Sequence, residues 1–398
     1  MDLSYGSDTE AFRGEVRQFL AARWSPTQMA ENPVPYLRAF RADATKAGYL
    51  YRAVPKIYGG SEQTPDMLKA QVIREEFGRA RAPSEVPGNG TTMVLPTLLQ
   101  HGTDWQKQYF LPATVLGDFL WAQGYSEPNA GSDLASLRTK GELVGDQWVI
   151  NGQKIWTSHA QNSQYMFALV RTEADRPKHS GISYLLIDLR QAGVTIRPLR
   201  QMTGRSEFCE VFLDDVRTPA DWIVGERGQG WTISRTTLKH ERSTIGGSER
   251  NDETFLKLVS LARRRTRFGQ PAIADKEVRQ RLVELEGWIL AQKASSYRRM
   301  SLALEDRDEG LVGLVNKQLT TEIAQRVAAI AQELIGESAL IDPMAIKGAR
   351  RGDEKWLDQI MGSLAVAIAG GASNIQRNII GERGLGLPRD LATQERGE

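Results

Sequence analysis

The sequence predicts an α+β chain in three parts: an N-terminal all-α domain at 1–118, a middle antiparallel β-barrel or sandwich domain at 119–229, and a C-terminal four-helix bundle at 230–398. Apolar residues recur at helical spacing in the first part, at every second position from about Phe119, and at helical spacing again beyond Gly230. A length of 398 residues accommodates two or three hydrophobic cores. We therefore expect helices at both ends and strands between them.

Three helices are predicted in the first domain from their apolar stripes and their starting residues. Thr64 is expected to cap the second of them, with Pro65 at its first position, and Asp104 is expected to cap the third. The inward-facing residues are predicted to be Phe12, Val16, Phe19 and Leu20 in the first helix, Met67, Leu68, Val72, Ile73 and Phe77 in the second, and Trp105, Tyr109 and Phe110 in the third.

The middle domain is predicted to contain a hairpin at Asn151-Gly152, because both residues tolerate the positive φ of a type I′ turn. This hairpin pairs 147–150 with 153–157 and places Trp156 and Ser158 on one strand face. An aromatic ring and a hydroxyl beside the small-residue loop 127–133 suit a flat ring with polar edges, such as a flavin. Further strands are expected at 164–171, 182–188, 194–197 and 210–213.

The last domain is predicted to be helical because its apolar residues keep helical spacing over long runs without proline. Ser373 and Gln376 form the S-x-x-Q pattern of a capping box, so a helix should begin there, after the flexible pair Gly370-Gly371. The apolar positions that mark the two longest helices are Leu282, Val283, Leu285, Trp288 and Ile289, and Leu314, Leu319, Ile323, Val327 and Ile330.

Composition excludes several function classes. The 51 basic and 49 acidic residues nearly balance, which argues against non-specific nucleic-acid binding. A single cysteine, Cys209, permits no internal disulfide and indicates a reducing compartment, so we expect a cytoplasmic protein. No run reaches the ~20 apolar residues of a membrane span. No metal site is expected, because the four histidines lack ligand spacing: His101, His159, His179 and His240.

Three motifs occur in a fixed order: SEPNAGSD at 126–133, NGQKIWTS at 151–158 and GGASNIQRNII at 370–380. In these motifs, and in order and spacing over nearly the whole chain, the sequence resembles the acyl-CoA dehydrogenase family. The resemblance implies bound FAD, an acyl-CoA substrate and transfer of electrons to an electron-transfer flavoprotein. It also implies a homotetramer or dimer with flavin sites at subunit interfaces, with an α2β2 heterotetramer as another form.

The resemblance assigns cofactor roles to residues of the middle domain. Tyr125 and Ser126 match residues at the pyrimidine edge of the flavin. Ser132 matches a residue that contacts the FAD diphosphate or the pantetheine of the substrate. Trp156 and Ser158 match the residues that cover the flavin. Each of these residues alone could equally serve hairpin packing or a turn. Their joint occurrence favours a role in cofactor binding.

Further cofactor roles fall on the C-terminal domain. Arg265 and Phe268 match the family's R-x-x-FG element, in which the arginine reaches the FAD diphosphate of a neighbouring subunit and the aromatic ring stacks. Gln332 matches a residue on the adenosine side. Gly371 and Ser373 stand at a predicted helix start, where free amides suit a phosphate.

The sequence departs from the family pattern at three positions. Ala372 replaces a usual threonine, Glu337 replaces a usual glycine, and Gly370 stands where the family usually carries its catalytic glutamate. Some relatives carry that base on the first long helix of the bundle, beside an arginine, and here Glu241 and Arg242 match this pair. The resemblance therefore implies Glu241 as the base for the α-proton, with Arg242 and Gly370 beside the substrate.

The leading hypothesis is an FAD-dependent enzyme of β-oxidation and lipid metabolism that introduces a trans-α,β double bond into a bulky, branched, steroid-side-chain, aryl or dicarboxylic acyl-CoA. Two alternatives stay open. One is a flavin monooxygenase, or another non-dehydrogenase, on the same scaffold. The other is a partner subunit of a heterotetrameric dehydrogenase. Retention of Glu241, Trp156 and Arg265 favours a catalytic dehydrogenase subunit.

Overall fold

Helices, then strands, then helices follow one another along the chain, in the order that the sequence predicts. In this computed structural model the described residues are 6–245, 249–305, 307–340 and 353–388. They form two compact units, one made of residues 6–198 and 208–240 and the other of residues 199–207 and those from 241 onward.

The first unit begins with six helices around an aromatic core. Val16, Leu20, Phe40, Phe77 and Phe110 are buried in this core, so the predicted stripe of the first helix faces inward. The predicted stripe of the second helix does so too except at Met67, which is 37% exposed. The helices are α1 Ser7–Arg23, α2 Pro26–Glu31, α3 Pro33–Lys46, α4 Met67–Ala80, α5 Leu95–His101 and α6 Asp104–Leu116.

The predicted start of α4 was wrong by two residues. Asp66, and not Thr64, is the N-cap, and its Oδ1 accepts a hydrogen bond from the backbone N–H of Lys69 at 2.9 Å. Pro65 therefore lies outside the helix. The helix was predicted to begin at Pro65 because proline is common at the first helical position. The cap is instead formed one residue later, by the hydrogen bond that the Asp66 carboxylate accepts.

The start of α6 needs a similar correction. Thr103 caps this helix in a reciprocal box, because its Oγ1 accepts from the backbone N–H of Gln106 at 3.3 Å and Gln106 Oε1 accepts from the N–H of Thr103 at 3.1 Å. Asp104 is the first helical residue. Phe110 is fully buried as predicted, whereas Tyr109 is 49% exposed, since neighbouring helical positions point about 100° apart.

The strands form one eight-stranded sheet in the order β6-β7-β3-β2-β4-β5-β8, and β1 pairs with β4. Most pairings are antiparallel, as predicted, but β1–β4 and the single β2–β4 contact are parallel. The strands are β1 Trp121–Gly124, β2 Lys140–Val144, β3 Gln147–Ser158, β4 Tyr165–Arg171, β5 Ile182–Asp188, β6 Val194–Leu199, β7 Phe208–Pro219 and β8 Ile223–Val224.

The hairpin predicted at Asn151-Gly152 was wrong. Residues 147–158 form the single strand β3, and a register shift against β7 between Ile150 and Gly152 makes this site a β-bulge. A Cβ at position 152 would lie 2.5 Å from Oγ1 of Thr139, so glycine is required here by the close approach of another segment.

The hairpin that does form joins β2 to β3. Gly145 and Asp146 make its two-residue turn, with Val144 paired to Gln147, and Gly145 has φ 65°. Positive φ at the first position of a two-residue turn suits the twist of the flanking strands, so the hairpin turn lies at Gly145-Asp146 and not at Asn151-Gly152.

Both faces of strand β4 are buried. Phe167 and Leu169 pack into the core shared with the N-terminal helices, whereas Met166, Ala168 and Val170 pack into a second core on the other side of the sheet. Because neither face of this strand meets solvent, its sequence does not alternate between apolar and polar residues, which explains the continuous apolar run.

The second unit is built mainly from helices. Leu258, Leu285, Val327 and Ala331 lie in its core. None of the helices among the described residues is both long and apolar enough to cross a bilayer. The elements are α7 Gly230–Ile245, which begins in the first unit and continues into the second, then α8 Glu249–Arg264, β9 Thr266–Arg267, β10 Gln270–Pro271, α9 Lys276–Leu304, α10 Gly310–Ile335, α11 Asp353–Val366 and α12 Ser373–Ile379.

Helix α12 begins at Ser373 as predicted, but the predicted capping box was wrong. Ala372 is the N-cap and provides no side-chain hydrogen bond. The Ser373 hydroxyl instead donates to the carbonyl of Ala367 at 3.3 Å, and Gln376 is buried. The S-x-x-Q pattern therefore lies one residue too far along the chain to form a box.

Candidate active site

A buried ion pair joins the loop 126–133 to strand β3. Nζ of Lys154 lies 2.8 Å from Oε1 of Glu127, and it also donates to the carbonyls of Leu169 at 2.7 Å and Tyr125 at 3.3 Å. The Lys154 side chain is fully buried. Both charged groups are therefore removed from water and satisfied by each other and by backbone.

Glu127 also holds the segment that follows the loop. Its carboxylate accepts from the backbone N–H groups of Arg138 at 2.6 Å and Thr139 at 2.9 Å. Burial alone would raise the pKa of Glu127, but the charge and the hydrogen bond of Lys154 outweigh burial and hold this pKa below its ordinary value. Burial lowers the pKa of Lys154 to about 8, against the opposing effect of the carboxylate. Both groups are therefore mainly charged at neutral pH.

This ion pair was not among the site residues predicted from the sequence. Both residues belong to the motifs already singled out, Glu127 in SEPNAGSD and Lys154 in NGQKIWTS. The available signal was a lysine within an apolar strand, which requires a buried partner. The hairpin predicted at Asn151-Gly152 obscured it, because Lys154 in fact lies on the same strand as the buried Trp148 and Ile150.

The two serines of the loop are accessible, whereas the aromatic residue that precedes the loop is buried. Ser126 is half-buried and its carbonyl accepts from the N–H of Ile155 at 2.9 Å, which ties the loop to β3 a second time. Ser132 is exposed. The ring of Tyr125 is buried against Phe167, with ring centroids 5.6 Å apart, so a ligand can meet Tyr125 only through its backbone.

Trp156 is presented by an unusual backbone conformation. Its φ is 59°, in the left-handed region that bulky residues rarely enter, and a second register shift of β3 spans this position. The indole ring is 58% exposed and meets Phe208 edge to face at 6.0 Å. Such strain persists only where surrounding contacts impose it, and it concentrates at ligand sites.

Ser158 follows two residues later and borders a cavity of about 360 Å³ in the first unit. His159, also at positive φ, Asn162 and Thr91 line the same cavity. The structure thus brings Ser126, Trp156 and Ser158 onto one loop and one strand that are tied together by hydrogen bonds.

In the second unit Arg265 lies at the end of α8. Its N–H donates to the carbonyl of Leu261 at 3.0 Å, and its carbonyl accepts from the N–H of Ala272 at 2.7 Å. The turn between β9 and β10 follows, formed by Phe268 with φ 52° and Gly269 with φ 79°. The Phe268 ring is 87% exposed, as an aromatic that stacks on a ligand or on another subunit requires.

The remaining predicted positions of this unit lie on helix ends and turns. Gln332 is exposed on α10, where its carbonyl accepts from the N–H of Gly336. Gly370 and Gly371 have φ 65° and 100°, and a Cβ at Gly371 would collide with the Gln376 side chain. The segment therefore needs glycine for its backbone conformation.

The predicted base, Glu241, and the predicted substrate-binding residue beside it, Arg242, lie near the end of α7, which runs from Gly230 to Ile245. The helix contains Glu241 and Arg242, but their side chains lie outside the described part of the structure. The sequence from 366 to 373, VAIAGGAS, contains no carboxylate that could serve in their place.

Three family models together match almost the whole chain. They are the N-terminal, middle and C-terminal domains of acyl-CoA dehydrogenases, matched at residues 6–118, 122–216 and 228–385. The chain belongs to the acyl-CoA dehydrogenase family. This acyl-CoA dehydrogenase is accordingly an oxidoreductase from a family of flavoproteins of lipid metabolism.

Two named relatives of this acyl-CoA dehydrogenase come from mycobacteria. It is 38% identical to acyl-CoA dehydrogenase IpdE1 of Mycolicibacterium smegmatis over 407 residues, covering 96% of this chain and 99% of the relative. IpdE1 of Mycobacterium tuberculosis is also 38% identical, with the same coverage. Among solved structures, the ChsE4-ChsE5 complex of M. tuberculosis contains a chain with TM-score 0.78 and 30% identity, covering 98% of this chain and 100% of that one.

The described residues of this acyl-CoA dehydrogenase fit the family's cofactor. In the first unit the exposed indole of Trp156 offers an aromatic surface, and Gly131 leaves space, since a Cβ there would meet no heavy atom within 4 Å. In the second unit Arg265 offers a guanidinium suited to a diphosphate, and Phe268 offers a second exposed ring. These are the groups that a dinucleotide with a flat ring requires.

Proposed function

We propose that this acyl-CoA dehydrogenase uses FAD and that Glu241 is its catalytic base. The observation that carries the FAD assignment is the strained, exposed Trp156 on the strand that Lys154 and Glu127 tie to the SEPNAGSD loop. In this assignment Ser126, the Tyr125 backbone, Trp156 and Ser158 hold the flavin. Ser132, Arg265, Phe268, Gln332 and the helix start at Gly371 and Ser373 hold the remainder of the dinucleotide.

The reaction removes two hydrogens from adjacent carbons of a thioester. Glu241 takes the proton from the α-carbon, and the electrons of that C–H bond form the new double bond. Bound FAD supplies the two-electron acceptor for the hydride that leaves the β-carbon. Arg242 and Gly370 lie beside the thioester, and Glu241 afterwards releases its proton to solvent.

The choice of Glu241 rests on the glycines near the C-terminus. Gly370 has φ 65°, a conformation that a glutamate adopts only with strain, and its neighbours carry no carboxylate. If the base is carried by α7 instead, the turn at 370–371 needs no carboxylate and can consist of two glycines.

For the substrate we propose a bulky acyl-CoA, such as a thioester derived from a steroid side chain. A solved relative with TM-score 0.78 and 28% identity is described as the Tcur3481-Tcur3483 steroid acyl-CoA dehydrogenase. We further propose an electron-transfer flavoprotein as electron acceptor. The assembly is proposed to be a homotetramer or dimer, with an α2β2 heterotetramer as the alternative that the ChsE4-ChsE5 complex suggests.

The test is anaerobic bleaching of the purified flavoprotein by a panel of acyl-CoA thioesters, with product masses measured. Glu241→Gln should retain FAD and bind the thioester, yet lose at least ~10²-fold in the rate of bleaching. Glu286→Gln is the matched control, because Glu286 is exposed on α9, and it should react at the wild-type rate.

Two other outcomes would contradict the proposal, and a third would decide its assembly. A near-normal rate in Glu241→Gln would remove Glu241 as base. Flavin reduction by a nicotinamide alone, with oxygen entering the product, would identify a monooxygenase. Retention of FAD only after mixing with a second chain would identify a subunit of a heteromeric enzyme.

A further inference from the structure

A cluster of charged side chains lies beside the turn that carries Phe268, in the second unit. Arg267 precedes Phe268 on β9, and Glu333 directly follows Gln332 in the last turn of α10. The Arg267 guanidinium donates to Oε1 of Glu333. One ion pair therefore joins the two segments to which contacts with the dinucleotide are assigned. The side chains of Arg267 and Glu333 are only 26% and 33% exposed, so the pair is partly shielded from water and from salt.

Arg267 has two further carboxylate partners, both at the start of α9. Its Nε lies 3.4 Å from Oδ2 of Asp275, and its Nη2 donates to Oε2 of Glu277 at 3.3 Å. Asp275 is itself held by backbone, because its Oδ1 accepts from the N–H of Glu277 at 2.8 Å. A guanidinium has several donors in a fixed plane, and here they connect β9 with the beginning of α9 and with the end of α10.

Glu333 in turn has a second arginine partner. Its Oε2 accepts from the guanidinium of Arg281 on α9. A carboxylate in the last turn of a helix faces the negative end of the helix dipole, which disfavours it. Glu333 is therefore stabilised by the two arginines and not by α10 itself. Charges that pair in a network contribute more than an isolated pair at the surface does.

The turn itself has a backbone conformation that needs support from its surroundings. Phe268 has φ 52°, which a bulky residue rarely adopts and keeps only where neighbouring contacts impose it. The guanidinium carbon of Arg267 lies 5.3 Å from the centroid of the Phe268 ring, within the range of a cation–π contact. Arg267 thus contacts both the exposed ring and the carboxylates of α9 and α10.

We propose that Arg267 is a positioning residue of the cofactor site, whose ion pairs with three carboxylates fix the β9–β10 turn and thereby set the affinity for FAD. The inference rests on the proposed use of FAD. Arg267 acts through the turn, which presents Arg265 and Phe268, and does not bind the diphosphate itself. Without its ion pairs the turn samples other conformations, and FAD binding then has to order it.

The experiment measures the affinity for FAD by fluorescence titration of the stripped protein. Arg267→Gln and Glu333→Gln should each bind FAD about tenfold more weakly than wild type, with nearly unchanged urea midpoints. The double variant should bind FAD as Arg267→Gln does, because the two substitutions break the same contact. Arg267→Lys keeps the charge without the planar fork and should recover part of the affinity.

The sign of the effect in Glu333→Gln separates positioning from direct contact. If Arg267 met the diphosphate itself, loss of the neighbouring carboxylate would leave more positive charge for the phosphates and would strengthen FAD binding. Tighter or unchanged binding in Glu333→Gln would therefore overturn the proposal. The matched control is Arg299→Gln, which breaks a 2.7 Å pair with Glu309 of similar exposure, 24% and 39%, in the same unit. This control should keep the wild-type affinity.

Amide hydrogen exchange of the stripped protein tests the turn without the cofactor. Exchange over residues 266–271 should be faster in Arg267→Gln and Glu333→Gln than in wild type, and unchanged in Arg299→Gln. A wild-type protein that takes up no FAD would defeat the proposed function, and exchange at this turn would still decide whether the ion pairs hold it. Equal exchange in wild type and in both variants would overturn the proposal while leaving the dehydrogenase assignment standing.

Discussion

Lys154 and Glu127 are 27 residues apart in the chain, and their side chains meet at 2.8 Å in the interior of the first unit. Lys154 stands two residues before Trp156, and Glu127 directly follows Ser126. The two residues thus join the strand and the loop that carry the proposed flavin contacts. The geometry of this part of the site therefore depends on this buried ion pair, together with the backbone hydrogen bond from Ile155 to Ser126.

Removing one partner of this pair should destabilise the protein strongly. We expect Lys154→Met to lower the free energy of unfolding by about 3–5 kcal/mol, because Glu127 is left as a buried charge without its cation. The double variant Lys154→Met/Glu127→Leu should recover part of that loss. Urea unfolding measures both, with the exposed Lys140→Met as a control expected within about 0.5 kcal/mol of wild type. A loss below about 1 kcal/mol in Lys154→Met would show that the pair is not structurally important.

The same pair predicts part of the acid sensitivity. A carboxylate whose pKa is lower in the folded state stabilises the fold above its unfolded value of 4.5, and this contribution is lost as the pH falls through the folded value. Glu127→Gln should therefore show a shallower decline in unfolding free energy than wild type below about pH 4.5. Lys154 stays protonated in this range, so the difference reports on Glu127. Parallel curves for the two proteins would disprove the assignment.

The bulge in β3 predicts that Gly152 tolerates no side chain. In Gly152→Ala the new methyl would meet the Thr139 Cα at 2.7 Å as well as its Oγ1 at 2.5 Å, and backbone cannot rotate away. We expect a loss of about 1–3 kcal/mol in unfolding free energy. Gly131→Ala, where no heavy atom lies within 4 Å, is the control and should change it by less than about 0.5 kcal/mol. Equal urea midpoints for both variants would contradict the close approach.

Arg265 should matter for the cofactor more than for the fold. Its placement at the end of α8 comes from backbone hydrogen bonds, which Arg265→Ala leaves in place. If its guanidinium meets the FAD diphosphate, the variant should bind FAD about tenfold more weakly, with a nearly unchanged urea midpoint. Fluorescence titration of the stripped protein with FAD measures this, and Arg263→Ala, an exposed neighbour on the same helix, is the control. Wild-type FAD affinity in Arg265→Ala would remove the residue from the site.

Helices and most strands could be predicted from the sequence because their signals are periodic and extend over many residues. The strands at β4 and β5 and the long helices α9 and α10 lie where the apolar spacing indicates. The errors fall on short signals. Asn151-Gly152, Thr64-Pro65 and Ser373 with Gln376 each match a local pattern, yet a neighbouring residue or a distant segment determines the conformation there.

The sequence by itself determined the family, the order of the helical and β parts, and the residue types at the candidate site, because motif order and periodicity are properties of the chain alone. Only the tertiary structure decided that Lys154 pairs with Glu127, that Trp156 is turned outward at positive φ, and that Tyr125 is buried. The physical reason is that these features depend on contacts between segments far apart in sequence. A strand bulge, a buried charge and a strained backbone angle are stable only once those segments have packed together.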